Sequence, residues 1–466
     1  MGSYSSLSAF SQLHHLRFSS FAILAASLAG GWALFATHLS VHTLIALVLG
    51  AAAIVGLLLY PELALALYVV IGDLKGDERV ASLLPVDLTL ALGAMILLGI
   101  VLNFFRGKRM VRMPASFLLY LALIALMVSS LSYTPVFEAG LEKLGRFLTV
   151  TALVIVAPFF ILTTPQAIKR FFAGFAVVAF MICDYSLTQL GGSERLVTPS
   201  SNTIGLGHVA CSLILLIWFI AMPQLPFFKR IFLFPVLAVP AMALIGSGSR
   251  GAAIALGVAI LFSLFLYRQF ASDLACLIAL GFAAIPFINI PQASFEYLGT
   301  LANSRNVDSL LSFRGELLGY GWHLLQQHPI LGVGIQGFRY YSLNAGLYNW
   351  PHNIFLEIAC ELGIPAMIIV CFIFGSAIQE SIRQMRDALL PYLTFSYVTA
   401  ALLLVGIVNA LNTGDINSDR STWLFISLVF VAGSLRIRAV NSPAISSPTA
   451  THPELPPLNS ETTLRR

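Results

Sequence analysis

The stretch LLPVDLTLALGAMILLGIVLNFFRGKRMVRMPASFLLYLALIALMVSSLS, residues 83–132, decides the fold class. It contains two apolar runs, 83–102 and 115–132, on either side of a short basic segment. A helix needs about 20 mostly apolar residues to cross the hydrocarbon core of a bilayer. Both runs come close to this length, so we predict two membrane-spanning helices joined by a short loop.

The composition extends this prediction to the whole chain of 466 residues. Hydrophobic residues make up 58% of it and charged residues only 10%, whereas a soluble domain carries about 25% charged residues. The mean hydropathy is +0.87. These values argue against a soluble enzyme, a coiled coil, a disordered regulator and a nucleic-acid binder. The net charge of +5 comes from basic residues dispersed among apolar runs, which indicates topology signals and no nucleic-acid patch.

Further apolar runs of similar length follow one another along the chain. We predict an all-α polytopic membrane protein with about 12–14 transmembrane helices. The candidate spans are 19–36, 41–59, 62–74, 83–102, 115–132, 146–163, 170–189, 204–222, 230–246, 250–267, 273–290, 353–376, 392–411 and 421–436.

Lysine and arginine placement predicts the orientation, because cytoplasmic loops are enriched in both residues. The loop 103–114 is basic and contains no acid, and every second loop after it is also marked by basic residues. We therefore place both termini in the cytoplasm. The alternate loops carry balanced charge and face outward, as in the loop with Glu138, Glu142, Lys143 and Arg146.

This orientation divides the chain into five segments. Residues 1–18 form a cytoplasmic N-terminal segment, 19–290 and 352–438 form membrane helices, and 439–466 form a disordered cytoplasmic tail rich in proline, serine and threonine. The remaining segment, 291–351, is a long outer-face loop.

The long loop contains apolar residues spaced by three and four, which predicts an amphipathic helix at the outer interface. We expect this helix to run from Ser309 to Gln327. Asp308 or Ser309 is its candidate N-cap, and His328-Pro329 ends it.

Three outward-facing arginines are candidate ligands of a phosphate group: Arg195, Arg250 and Arg314. A guanidinium group donates two hydrogen bonds at once to phosphate oxygens. The alternative is that each arginine pairs with a loop carboxylate or extends to water.

His352 stands in WPHNIFLE, residues 350–357, where the long loop re-enters the membrane. Proline before the first helical residue marks a helix start, and the positive helix end favours a neutral imidazole, the form that a general base requires. Asn353, Glu357 and Glu361 recur every four residues as a polar stripe, which we expect to face the protein interior. The alternative is an interfacial histidine that only caps or anchors the helix.

We predict no metal and no cofactor. The cysteines lie in apolar runs without CxxC spacing, and the histidine pairs His14/His15 and His38/His42 lack nearby carboxylates. The motif GVGIQG, residues 332–337, has the spacing of a dinucleotide-binding loop but follows no predicted strand. We interpret it as a sharp turn that shapes the floor of the site.

The motifs RGELL (314–318), HPILGVG (328–334), PHNIFLE (351–357) and ELGI (361–364) resemble the O-antigen ligase and polymerase family of bacterial polysaccharide assembly. The upstream SRG turn, 249–251, is also similar, and the resemblance covers roughly residues 195–411. It implies a GT-C-like fold in the bacterial inner membrane and an inverting, metal-independent glycosyltransferase with its active site on the periplasmic face.

The resemblance also implies the substrates and the residue roles. The donor is a glycan on undecaprenyl diphosphate, and the acceptor is a sugar hydroxyl on lipid A–core or on another glycan. His352 activates the acceptor, and Arg195 and Arg314 hold the diphosphate. Arg250 in the SRG turn is either a further ligand of the diphosphate or a structural residue. The residues themselves leave the partner of the imidazole open between Glu357 and Glu316, and Asn353 completes the expected site.

Other functions stay open. The chain is alternatively a polymerase of O-antigen or exopolysaccharide repeat units, or a transferase of glycan to protein. A different class of alternative is a membrane transporter, which would place charges deep in the membrane and show inverted repeats.

Overall fold

The structure is a computed structural model, and it describes residues 50, 52–74, 87–192, 194–200, 202–266, 293–294, 304–346, 351–386, 390–412 and 415–440. Side chains are described in these ranges except at 227, 265–266, 304–314, 390–393 and 438–440. Several predicted segments lie outside the described residues: 1–18, 19–36, most of 41–59, 273–290, most of 291–303 and nearly all of the tail 439–466.

Every regular element in the described residues is a helix. In chain order the α-helices are α1 (Ala52–Leu59), α2 (Pro61–Leu74), α3 (Leu88–Phe105), α4 (Phe117–Ser130), α5 (Phe137–Arg146), α6 (Ala152–Ile161), α7 (Pro165–Leu187), α8 (Thr203–Leu216), α9 (Phe234–Ser247), α10 (Arg250–Leu266), α11 (Ser304–Gln327), α12 (Gly337–Asn344), α13 (Ile354–Arg386), α14 (Leu390–Asn412) and α15 (Arg420–Val440).

Eight helical stretches of the described residues are long and apolar enough to cross a membrane. Peripheral helices expose apolar side chains, such as Leu97 on α3 and Val236 on α9, as expected where a helix faces lipid. These findings confirm an all-α polytopic membrane protein. The division into five segments and the exact number of spans remain predictions.

The predicted spans 41–59 and 62–74 form a more complex element than two separate crossings. The axes of α1 and α2 differ by 107°, and only Tyr60 separates the helices. Pro61 explains the break, because proline has no backbone N–H with which to continue a preceding helix. Together the two helices fulfil the criteria for one broken span, and α2 is packed in the core.

The segment with Glu138, Glu142, Lys143 and Arg146, which we predicted as an outward-facing loop, is helical. Residues 137–146 form α5, which continues through a π-helical turn, Phe147–Thr151, into α6. The buried positions Gly140, Lys143, Leu144 and Phe147 have the three- and four-residue spacing of one helix face. Lys143 therefore points into the protein, although its predicted position was in an outward-facing loop.

The amphipathic helix of the long loop is present as α11, but its predicted start is wrong. The helix begins at Ser304, so both proposed caps, Asp308 and Ser309, lie inside it. It ends at Gln327, directly before His328-Pro329, as predicted. Its buried residues Leu317, Leu324 and Leu325 join a small apolar cluster with α13.

A cluster of aromatic rings packs several helices together around Trp423. The buried Trp423 of α15 lies 5.9 Å from Tyr120, 6.4 Å from Phe147 and 6.0 Å from Phe374, measured between ring centroids. These rings come from four separate parts of the chain. They fix α4, the π-helical turn, α13 and α15 against one another beneath the polar residues described next.

Candidate functional site

Helix α13 is broken near its N-terminus at Gly363, where φ is 82° and ψ is 175°. Pro365 has no N–H to donate to the carbonyl of Glu361. The N–H of Ile364 donates to Pro329 O at 2.8 Å. The carbonyl of Cys360, which would accept from this N–H in a regular helix, therefore also lacks its helical donor. The break therefore releases two helix carbonyls that need other donors.

The glycine turn at 332–334 supplies these donors. Val333 N donates to Cys360 O at 2.8 Å, and Gly334 N donates to Glu361 O at 2.9 Å. Gly332 and Gly363 both have positive φ, and a Cβ at either position would collide with the facing backbone. This contact supports the interpretation of the motif 332–337 as a sharp structural turn.

His352 lies immediately before α13 and is half-buried, with φ at 53°. A non-glycine residue with positive φ is uncommon and marks a turn or a strained site. Asn353 caps the helix, because its Oδ1 accepts from Leu356 N at 3.0 Å, and its Nδ2 donates to Leu411 O at 3.2 Å. The predicted position of His352 at a helix start is thus confirmed.

Glu357 and Glu361 are buried, as the polar-stripe prediction required, but they face a partner that the sequence analysis did not identify. Lys143 Nζ lies 2.5 Å from Glu357 Oε1 and 2.7 Å from Glu361 Oε2. The lysine and the two glutamates are all less than a tenth exposed. Glu357 Oε2 also accepts from Ile416 N at 3.2 Å. Glu357 is therefore held in an ion pair with Lys143, whatever further role it has.

The loop between α14 and α15 is fixed to the same ion-pair cluster. Asn417 Nδ2 donates to Lys143 O at 3.0 Å, and Thr151 Oγ1 donates to Asn417 Oδ1 at 3.0 Å. Asp415 Oδ1 accepts from the N–H groups of Asn417 and Ser418. The N-terminal end of α13 is thus connected to α5 and to this loop by buried polar contacts.

A cavity of about 560 Å³ opens beside this cluster. Its lining comes from helix starts and loops that the sequence places on the outer face, and the charged members are Asp87, Glu142, Lys143, Arg146, Arg339, Glu357, Asp415 and Arg420. A second cavity of about 400 Å³ adjoins it and shares Ser418 and Arg420. Both volumes lie in the range of small-molecule sites.

Arg420, the first residue of α15, lines both cavities. Its guanidinium carbon lies 5.9 Å from the centroid of the Tyr68 ring. Its Nη1 is buried and has no hydrogen-bond partner among the described residues. Next to it, burial raises the pKa of Asp419 to about 6, although Thr422 Oγ1 donates to this carboxyl at 2.6 Å.

Two of the predicted arginines meet at the turn between α9 and α10. Arg195 Nε donates to Ser247 O at 2.7 Å, and its side chain passes over Gly248, whose φ is 61°. Arg250 begins α10 directly after this turn. Helix α14 packs against both α10, which follows this turn, and α13, which follows His352.

Two further predicted site residues lie on α11. The backbone of Arg314 belongs to this helix, and its side chain lies outside the described residues. Glu316 is exposed. The roles assigned to Arg195, Arg250, Arg314, His352, Asn353, Glu316 and Glu357 remain predictions.

Sequence reasoning missed Lys143, Asn417, Asp419 and Arg420. A signal for Lys143 existed in its helical spacing with Gly140, Leu144 and Phe147. The polar run NTGDINSDR, residues 412–420, is unusually rich in amide and acidic side chains for a short loop between two spans.

A scan against protein-family models matches residues 235–371 with the family described as O-antigen ligase. The match begins in α9, includes Arg250, Arg314, His352 and Glu361, and ends within α13. A search of curated proteins finds no significant match. The resemblance drawn from the sequence is confirmed for residues 235–371, which match the O-antigen ligase family.

Proposed function

We propose that this membrane protein transfers a glycan from undecaprenyl diphosphate to a sugar hydroxyl of lipid A–core at the periplasmic face of the bacterial inner membrane. The family match supports a membrane glycosyltransferase of the O-antigen ligase or polymerase type. The observation that carries the finer proposal is the position of His352. It lies within the matched domain, half-buried, at the capped N-terminus of α13.

His352 acts as the general base. The positive end of the α13 dipole disfavours a second proton on the imidazole, so the ring stays neutral and accepts the proton of the acceptor hydroxyl. The hydroxyl oxygen forms a bond to the anomeric carbon from the face opposite the diphosphate, and configuration inverts. General-base assistance of this kind contributes about 10²–10⁴ in rate.

The arginines stabilise the leaving group. As the bond between the anomeric carbon and the diphosphate oxygen breaks, its electron pair remains on undecaprenyl diphosphate. Arg195 and Arg250 at the α9–α10 turn, with Arg314 of α11, supply positive charge for these oxygens. Because cationic side chains provide this charge, we expect transfer to continue in the presence of EDTA.

Substitution of His352 tests the proposal. We expect His352→Ala to abolish transfer of glycan to lipid A–core in isolated membranes while leaving protein abundance unchanged. The matched control is His323→Ala, which removes an exposed histidine of α11 and should retain activity. Wild-type activity in His352→Ala, or complete loss of wild-type activity on chelation, would contradict the mechanism.

Repeat-unit polymerisation is the second candidate function, since the family match supports a transferase of either the ligase or the polymerase type. A deletion strain separates the two functions. If the strain has lost ligation, lipid A–core carries no glycan and the polymer accumulates on the carrier lipid. If it has lost polymerisation, single repeat units are attached to lipid A–core.

A further inference from the structure

The cavity of about 560 Å³ beside the Lys143 cluster is lined in part by α13, the helix that begins shortly after His352. Glu357 lines the cavity and follows Asn353 by four residues, which is about 6 Å along a helix axis. Gln336 and Arg339 also line the cavity. A molecule that contacts Glu357 in this cavity would therefore lie about one helical turn from the N-cap residue Asn353, which directly follows the proposed general base.

The charges of the lining are balanced. Four side chains are cationic and four are anionic at neutral pH: Lys143, Arg146, Arg339 and Arg420 against Asp87, Glu142, Glu357 and Asp415. A site for a diphosphate needs an excess of positive charge, and this lining has none. A neutral ligand rich in hydroxyl groups fits better, because each hydroxyl both donates to carboxylates and accepts from guanidinium groups.

Arg420 gives an independent indication of a ligand. Its Nη1 is buried without a hydrogen-bond partner among the described residues, whereas buried polar atoms are nearly always paired. Arg420 also lines the cavity. A small rotation of the guanidinium group toward the cavity would bring this nitrogen within reach of a ligand hydroxyl oxygen.

The wall of the cavity is held in place before any ligand arrives. Lys143 is fixed by two ion pairs and Asn417 by two hydrogen bonds. A preformed wall binds its ligand at a lower entropic cost than a mobile one.

From these observations we propose that this cavity is a saccharide subsite. The inference rests on the proposed glycosyl transfer and adds the location at which a sugar of one substrate is held. The saccharide comes either from the acceptor or from the glycan of the donor, since both present the same hydroxyl chemistry.

Binding to the detergent-solubilised full chain tests the subsite. The probes are core oligosaccharide freed of lipid A, O-glycan freed of lipid diphosphate, and inorganic pyrophosphate, each titrated by microscale thermophoresis. We expect at least one saccharide to bind the wild-type protein, and Arg339→Met and Arg420→Met each to weaken that binding tenfold or more. The saccharide that responds identifies the source.

Matched variants complete the design. Arg109→Met removes an exposed arginine in the basic loop between α3 and α4 and should bind saccharide as the wild type does. Because Arg339 is exposed, its variant keeps the test valid if Arg420→Met does not fold. Pyrophosphate binding should be unchanged in Arg339→Met.

The subsite proposal is overturned if neither saccharide binds the wild-type protein or if Arg339→Met binds saccharide normally. It is also overturned if Arg339→Met loses binding of pyrophosphate and not of saccharide. Failure of the proposed function is a separate result. It would appear as wild-type membranes that transfer no glycan, while the saccharide titration stands independently of catalysis.

Discussion

Replacing Lys143 with methionine tests the energetic role of the buried ion-pair cluster. Methionine keeps most of the volume of the side chain and removes the positive charge that lies 2.5 Å from Glu357 and 2.7 Å from Glu361. After the change, two carboxylates remain buried, and Ile416 N is the donor still recorded for Glu357.

The structure sets the expected size of the effect. Removing one partner of a buried ion pair costs about 3–5 kcal/mol, because the remaining charge is left buried without compensation. All three side chains are at most 8% exposed, so water does little to reduce the loss. We therefore expect Lys143→Met to lower the free energy of unfolding by about 3–5 kcal/mol.

The assay is reversible unfolding in mixed micelles by titration with SDS, followed by circular dichroism. The matched control is Arg146→Met on the same helix. It breaks the ion pair with Glu142, whose two side chains are 67% and 64% exposed, and exposed pairs contribute less than about 1 kcal/mol.

A compensated variant separates charge from packing. We expect Lys143→Met combined with Glu357→Gln and Glu361→Met to recover most of the lost stability, because glutamine still accepts from Ile416 N and no charge remains buried. The reasoning is refuted if Lys143→Met costs no more than Arg146→Met, or if the triple variant is less stable than the single one.

Three further predictions follow from particular residues. Gly363→Ala should lower the melting temperature strongly, because alanine is strained at φ 82° and its Cβ collides with Ile330 O; an unchanged melting temperature would contradict the turn geometry. The pKa of Asp419 is raised from 3.8 to about 6, so the folded state retains a proton that the unfolded state releases between these values. The contribution of the protonated Asp419 side chain to folding stability is full below about pH 4 and is lost as the pH rises through 6. The melting temperature of Asp419→Asn should therefore rise relative to that of the wild type over this range. A difference in melting temperature that does not change with pH would argue against the raised pKa. In a cysteine-free background, Glu142→Cys in intact cells should react with a membrane-impermeant maleimide and Arg109→Cys should not; the reverse pattern would invert the topology.

Hydropathy predicted most of the membrane helices, since a backbone in lipid has to satisfy its hydrogen bonds within the helix. The span predicted at 353–376 begins within one residue of α13, and the span at 421–436 lies inside α15. The family resemblance was also readable from motifs in a single stretch of chain.

Contacts between distant parts of the chain were not readable in this way. Lys143 looked like a marker of an outer loop because it follows Glu138 and Glu142, while its partner Glu357 lies 214 residues further along the chain. The break at Gly363 leaves two helix carbonyls without donors, and only the folded structure identifies the turn at 332–334 as the source of the replacement donors. A sequence pattern describes one face of an element and does not identify what packs against it.

The backbone bonds between the turn at 332–334 and the broken end of α13 also limit how such proteins can be recombined. A transplant of the outer loop alone from another family member would separate the amide donors from the carbonyls that they cap. A chimera intended to exchange acceptor preference should therefore carry residues 328–364 as one cassette, with both glycine turns from the same parent.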